Sequence, residues 1–328
     1  MKRRVKILAI VMAVISTTTI LSACQGSVSH SKKQLVIGYV TKSATNTGMI
    51  LENQGAEKAA KDLGASVKLI LLGPPKDEDI AGQINVVEDM VNQKVDAICI
   101  APCDSDAIVP AVKKANAANI PVVAVDTAIN GGNVATFVAT DNVKAAQLGA
   151  EWMGKALGGK GNVVMINGML TQGTGLDRRN GFIDYLKQHY PDIKVVAQVP
   201  TQWDAESSLT GMEDAIKANK EIDGVYCAWD GATIAVIPAL QQAGLLKKVK
   251  LLGFDADPNA LKAMEEGLIE GDVAQYLTQI GYQGVQAAYK LAKGEKVSSR
   301  IDTGTMIVTP ENAAKFITDN GLTSVMPK

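Results

Sequence analysis

The sequence predicts an α/β protein made of two similar doubly wound parallel-sheet lobes joined by a hinge. Three observations carry that prediction. From Gln34 onward, short runs rich in Val and Ile alternate with longer amphipathic stretches, on a beat of about 25–30 residues, the length of a βα unit. The apolar runs are continuous rather than alternating, as strands are when helices cover both faces of their sheet. There are ten such runs, too many for one ordinary doubly wound domain, so the chain divides into two lobes with a break near Thr140-Asp141.

Taken in order, the strand candidates are Leu35–Val40, Val67–Leu72, Ala97–Ile100, Val122–Val125, Thr136–Ala139, Asn162–Ile166, Lys194–Val199, Gly224–Cys227, Lys250–Gly253 and Gly271–Ala274. Helical patterns lie between them. The run from Gly55 to Leu63 ends on Gly64, a residue suited to the position just past a helix. Ala107–Ala118, Lys144–Leu157, Arg178–His189, Ala205–Ala218, Thr233–Ala243 and Tyr282–Lys293 follow the same pattern. No Gly/Ser-rich linker separates the lobes, so the chain is expected to cross by short segments near Thr140, Gln275 and Thr303-Gly304. The domain reading is a signal segment at 1–23, a tether at 24–33, a first lobe of 34–140 plus 276–303, and a second lobe of 141–275 plus 304–328.

The chain has 328 residues, 47% of them hydrophobic and 20% charged, so it can bury a core and is not disordered. Lys plus Arg is 33 and Asp plus Glu is 34, a balance without the basic excess of a nucleic-acid binder. The first 23 residues hold Lys2, Arg3, Arg4 and Lys6 and no acid. Ile7 to Ile20 is mostly apolar but shorter than the ~20 residues of a membrane span. The stretch closes on Leu21-Ser22-Ala23-Cys24, which resembles a bacterial lipobox: small residues before a cleavage point, then a cysteine whose thiol is acylated. Cys24 is therefore the expected lipidation site. Two acyl chains anchor a protein stably, and the Ser-rich 25–33 segment reads as its tether. The expected location is outside the cytoplasm, lipid-anchored to the outer face of the cell membrane or in the periplasm.

Enzyme chemistry is thinly represented. Only two histidines occur, His30 in the tether and His189 at a helix end, neither placed as a general base. Gly154, Gly159 and Lys160 have phosphate-loop spacing, but Gly161 stands where Ser or Thr is required and the segment precedes a strand. Arg178 occupies the third glycine position of a dinucleotide fingerprint begun by Gly173 and Gly175. No zinc or calcium spacing is present. The reading is no enzyme, no cofactor and no metal. Cys99, Cys103 and Cys227 read as unpaired structural thiols. Four residues of extended chain put Cys99 and Cys103 roughly 13 Å apart, too far for a disulfide.

In doubly wound sheets, ligands bind beyond the carboxyl ends of the strands. The residues there are carboxylates, amides and two tryptophans: Asn46, Asp126, Thr140-Asp141-Asn142, Trp203-Asp204, Trp229-Asp230, Asp255 and Gln275. A carboxylate can accept two hydroxyl hydrogens in fixed geometry, with the added strength of charge. A flat aromatic face packs on the C–H face of a sugar ring. The mixture fits a sugar or polyol. Asp141 and Asp204 read as helix N-caps, and Asp126 and Asp255 as ligand contacts.

These residues also carry a family likeness. The chain resembles the ribose-binding type of sugar-binding proteins, of the periplasmic-binding-protein-like class I group, over about Leu35 to Val308. The motifs are Asp104-Ser105-Asp106-Ala107, Asn119-Ile120-Pro121-Val122 leading to Asp126, Ala139-Thr140-Asp141-Asn142, Asp177-Arg178-Arg179-Asn180-Gly181-Phe182, Gly253-Phe254-Asp255 and Gly294-Glu295-Lys296-Val297. Each is short, and their order and spacing make the likeness specific. The resemblance implies a periplasmic binding protein type I fold. By position it implies that Asn46 is the first-loop asparagine, Asp126 and Asp255 are the acidic hydroxyl acceptors, and Arg178 donates to ring or hydroxyl oxygens. It puts Trp203 at the ring-stacking place, Trp229 where the ribose binder has an asparagine, followed by Asp230, and Gln275 at the last crossover. It also makes Thr140 a hinge hydroxyl and Lys42 an early-loop ligand position.

The departures are Gly48-Met49 in place of aromatics, Ala101 in place of an asparagine, and Thr127 in place of an arginine. They move ring stacking to the Trp203/Trp229 side and leave open a pentose, a hexose, a polyol or a furanose. The resemblance implies delivery of the sugar or polyol to an ABC permease and its ATPase by a monomeric receptor that meets the membrane only through its lipid. The alternative is a sensory receptor for a sugar or furanose signal, autoinducer-2-like, coupled to a chemoreceptor or sensor kinase. The segments Leu72-Gly73-Pro74-Pro75 and Ile80-Ala81-Gly82-Gln83 are similar to that second group. Asp126→Ala is expected to abolish binding and leave the fold intact.

Overall fold

The computed structural model describes residues 33–327; Cys24 and the signal segment lie outside them. The chain opens with β1 (Leu35–Val40), α1 (Thr47–Leu63), β2 (Val67–Leu72), α2 (Ile80–Asn92), β3 (Ala97–Ile100), α3 (Val109–Ala117), β4 (Val122–Val125) and β5 (Val134–Ala139). It continues with α4 (Asn142–Ala156), β6 (Lys160–Asn167), α5 (Gly173–His189), β7 (Asp192–Pro200), α6 (Ala205–Ala218), β8 (Gly224–Cys227), α7 (Asp230–Gln242), β9 (Lys250–Asp255), α8 (Pro258–Glu265) and β10 (Gly271–Gln275). Last come α9 (Leu277–Ala292), β11 (Arg300–Asp302), β12 (Thr305–Val308) and α10 (Ala313–Asp319).

The strands form two six-stranded sheets, ordered β11-β5-β4-β3-β1-β2 and β12-β10-β9-β8-β6-β7. All pairings are parallel except β10 with β12. Each sheet repeats the same doubly wound order. The order reverses at β1 in the first and at β6 in the second, which opens a crevice at the carboxyl ends of β1/β3 and β6/β8. Central strands β3, β4 and β8 are buried at every residue, which is why they read as runs without a charged residue.

Helices α1, α4, α5, α7 and α9 start earlier than their apolar pattern does, and polar side chains cap the first two of them. Asn46 accepts from the Gly48 and Met49 amides to start α1. Asp79, Asp141, Asp204 and Asp257 do the same for α2, α4, α6 and α8. Asp141 and Asp204 thus fill the capping role read from sequence. The short strands β11 and β12 were not foreseen. They are three and four residues long and lie on sheet edges, where burial leaves little pattern.

The chain passes between sheets at 140–141, at 276 and at 303–304. The three passages lie side by side. Thr303 donates its backbone N–H to the Ala139 carbonyl at 3.2 Å. Thr140 donates its hydroxyl to the Gly304 carbonyl at 3.4 Å, and Thr305 donates to the Ala274 carbonyl at 2.9 Å. Cys99, Cys103 and Cys227 are buried and unpaired.

Candidate ligand-binding site

One cavity lies where the carboxyl ends of both sheets face each other. Its free volume is only about 30 Å³, well below the ~300–1,000 Å³ of ordinary ligand pockets. Lys42, Asn46, Asp126, Arg178, Trp203, Trp229, Asp255 and Gln275 line it, together with Gly48, Met49, Asp77, Thr174 and Leu277. Eight of the ten positions named from sequence therefore line one cavity. Thr140 and Asp230 do not.

On the first-sheet side, Lys42 follows β1 and Asp126 follows β4. Lys42 Nζ donates to Asp126 Oδ2 at 2.5 Å, to Thr127 Oγ1 at 3.1 Å and to Gln172 Oε1 at 3.3 Å. The ammonium's three hydrogens are all engaged. Burial by itself would raise the Asp126 carboxyl, but the Lys42 charge and hydrogen bond outweigh it and hold Asp126 below the usual carboxylate range. Lys42 and Thr127 together occupy Oδ2, so Oδ1 is the oxygen free to accept from a ligand. Lys42 and Asp126 are both almost fully buried, so Asp126 contributes to stability as well as to the cavity wall. Asn46 uses Oδ1 for its cap, which leaves the amide nitrogen for the cavity.

On the second-sheet side, Arg178 sits in the second turn of α5, with its guanidinium 3.8 Å over the Phe254 ring. Its Nε donates to Asn142 at 2.9 Å, and its Nη1 donates to the Ala228 carbonyl at 2.7 Å and to Asp255 Oδ1 at 3.3 Å. Nη2 remains for a ligand. Gln275 Nε2 donates to the same Asp255 oxygen at 2.8 Å. Burial raises the Asp255 carboxyl to about 6, while Arg178 and Gln275 pull it down. Asp126, Trp203 and Asp255 all hold positive φ, at 58°, 56° and 125°, a backbone conformation costly for non-glycine residues and concentrated at functional sites.

The two indoles meet edge to face, centroids 6.0 Å apart at 86°. Trp203 donates Nε1 to Gln172 Oε1 at 2.9 Å. Trp229 Nε1 is buried and has no acceptor. Glycines make room for the rings: a Cβ at Gly168 would lie 1.9 Å from the Trp203 ring, and one at Gly231 1.9 Å from that of Trp229. Gly168→Ala is therefore expected to displace Trp203, shift the intrinsic fluorescence of the empty protein and weaken ligand binding about tenfold. Titration calorimetry of the variant checks the affinity, and an unmoved emission spectrum would contradict the displacement.

Asp230 plays a different part from the one read in sequence. It is buried, and its two oxygens accept from the backbone N–H groups of Phe254 at 3.2 Å and Asp257 at 2.8 Å. Asp272 accepts from Ala256 N–H at 2.9 Å. The two carboxylates hold the turn that aims Asp255 at the cavity. Burial, then mutual repulsion, raises Asp230 well above its ordinary value, and burial raises Asp272 to about 7. Thr140 is likewise a crossing residue and not a wall residue.

Sequence reading passed over Gln172. It caps no helix amide, but it joins the two sides: Oε1 receives Lys42 and Trp203, and Nε2 donates to the Cys103 carbonyl at 2.9 Å. Beside it Thr127 and Thr174 share a 2.5 Å hydrogen bond, and Gly173 N–H donates to Ser105 Oγ at 3.1 Å.

A paired crevice of this kind, built from two copies of one sheet order, has a counterpart among known proteins. The family model described as periplasmic binding protein domain matches residues 37–296. The chain belongs to this family. As a periplasmic binding protein it is 30% identical over 281 residues to a ribose import binding protein of Bacillus subtilis, covering 86% of this chain and 89% of that one. It is 33% identical over 266 residues to a D-allose-binding periplasmic protein of Escherichia coli, covering 79% and 85%. Among solved structures it superposes with TM-score 0.82 and 33% identity on a carbohydrate transporter solute binding protein of Agrobacterium radiobacter in complex with D-arabinose, covering 90% of this chain and all of the other. Members of this family that the chain matches are binding proteins and not enzymes, which fits a site that has carboxylates and indoles but no histidine.

Proposed function

We propose that the protein is an extracytoplasmic, lipid-anchored solute-binding protein that captures a neutral monosaccharide or polyol and delivers it to an ABC importer. The observation that carries this reading is the hydrogen-bonding character of the cavity. Its walls offer acceptors on both sides, at Asp126 and Gln275 among others, with Arg178 Nη2 and Trp229 Nε1 as donors. Such a set asks for a ligand rich in hydroxyl groups and without an anionic one. The names of the relatives, which bind ribose, allose or arabinose, support the same class. Anchoring rests on Cys24 and the apolar segment before it. The lobes close over the sugar, exclude water from its hydrogen bonds and present a joined surface to the permease.

A thermal-shift screen of residues 25–328 against pentoses, hexoses and polyols tests this. One compound is expected to raise the melting temperature stereospecifically, since ligand at a hundredfold excess over Kd adds about 2.7 kcal/mol. A protein freed of bound material by unfolding and refolding that responds to none of them would sink the reading. Release of a membrane-bound fraction on Cys24→Ser tests the anchor.

A further inference from the structure

Asp77 lies between β2 and α2, in the charged loop Lys76-Asp77-Glu78-Asp79. It lines the same cavity as Lys42 and Asp126, yet it is only 5% exposed. Its Oδ1 is sealed from solvent and has no hydrogen-bond partner. A buried carboxylate oxygen left unpaired bears its full desolvation cost. The charge of Lys42 offsets part of that cost, but Lys42 has no hydrogen left to donate, because its three go to Asp126, Thr127 and Gln172. The donor that completes Asp77 has to enter through the cavity.

We propose that Asp77 is a third ligand carboxylate, which accepts a hydroxyl hydrogen of the bound sugar and selects for the sugar that places a hydroxyl there. The inference rests on the sugar-binding reading and refines it. Asp126 accepts on the same side from the strand-end position, and Asp255 accepts from the opposite sheet. Asp77 approaches from a loop that contributes no other wall residue. It therefore reads a part of the ligand that the other two do not. Two carboxylates on one side, with the Lys42 ammonium already committed to Asp126, also repel an anionic sugar, so sugar acids and sugar phosphates are disfavoured.

The test is titration calorimetry of the 25–328 protein with D-ribose, D-allose, D-arabinose, xylitol and myo-inositol, followed by the monodeoxy analogues of the tightest binder. Asp77→Asn is expected to weaken that binder about 10- to 100-fold. In the wild type, removal of one particular hydroxyl should cost affinity; in Asp77→Asn, which keeps only a neutral acceptor, the same removal should cost clearly less, while the other deoxy analogues keep their full penalties. Asp77→Ser serves if the asparagine variant fails to fold, and melting temperatures of the empty proteins show which does. Unchanged affinity in the variant overturns the inference while the sugar reading stands. An equal loss for every analogue also overturns it, because that is the mark of a merely structural charge. A wild type that binds none of the five probes overturns the sugar reading, and the role of Asp77 with it.

Discussion

Asp126→Ala is expected to abolish sugar binding and to lower the melting temperature of the empty protein in the same stroke. The binding loss follows from the carboxylate's place on the cavity wall, with one oxygen held by Lys42 and Thr127 and the other free for the ligand. A hydrogen bond to a charged acceptor contributes about 1.5–3 kcal/mol, so loss of the free oxygen alone weakens binding about ten- to a hundredfold, and loss of the anchor that holds Lys42 at the cavity adds to it. The stability loss follows from Lys42. Its side chain is 6% exposed, and that of Asp126 is 2%. Removing one member of a buried ion pair strands the other, at a cost of about 3–5 kcal/mol, or on the order of ten degrees in a chain of this size. The double variant Lys42→Met/Asp126→Ala removes both charges and is expected to recover most of the stability but none of the binding. Calorimetric titration and thermal unfolding of the three proteins decide it. A single variant that melts like the wild type would show that Lys42 finds another partner.

Glu52→Gln is expected to stabilise the protein at pH 8 and to leave it unchanged near pH 4.5. Glu52 projects from α1 into the first lobe's interior, where Tyr39 donates its hydroxyl to Oε1 at 2.5 Å. Oε2 is buried without a partner. Burial first, and the Asp126 charge second, raise its carboxyl from 4.5 to about 8. The folded value is therefore above the unfolded one. The proton that folding retains stabilises fully below about pH 4.5, and that contribution is lost as pH rises through about 8. Over that window the unfolded chain releases the proton and the folded chain keeps it, so stability falls by up to about 1.4 kcal/mol per pH unit from this one group, a few kcal/mol in all. Glutamine preserves the shape and the acceptor for Tyr39 and cannot ionise. Denaturant unfolding of wild type and Glu52→Gln from pH 4.5 to pH 8 should show two curves that meet at the acid end and diverge toward the alkaline end. Parallel curves would mean that Glu52 is ionised in the folded protein. Asp272, raised to about 7, adds a slope of the same sign that the substitution leaves in place.

The fold was legible where burial is two-sided. Runs such as Ala97–Ile100 and Val122–Val125 are strands whose every residue is covered, so composition alone identifies them. Arg300–Asp302 and Thr305–Val308 sit on sheet edges and are mostly half-buried, which leaves no comparable run to read. The site was legible in its chain positions and less so in its directions. Looking just past each strand finds Asp126, Trp229 and Asp255, because the doubly wound order turns those ends toward one crevice. It cannot tell that Asp230, one residue after Trp229, points back to hold the 254–257 turn, or that Thr140 bonds along the crossing strands. Asp77 escaped notice because three acids and a lysine in four residues look like a solvated loop; the hydrogen bonds that tie Pro74 and Pro75 to Ser43, Ala44 and Thr45 hold that loop against the first lobe. Gln172 escaped because its partners, Lys42, Cys103 and Trp203, are distant in sequence and its own surroundings are an ordinary turn.

The bonds that Gln172, Ser105 and Thr174 make across the crevice join protein to protein and include no ligand atom. They favour the shut form of the empty protein as much as that of the full one. For a receptor that hands cargo to a membrane partner, this sets a level of false signalling. If the proposed delivery to a permease holds, an empty copy that shuts by itself would show the permease the face of a loaded one. The strength of these few hydrogen bonds would then set how often an empty receptor is mistaken for a full one.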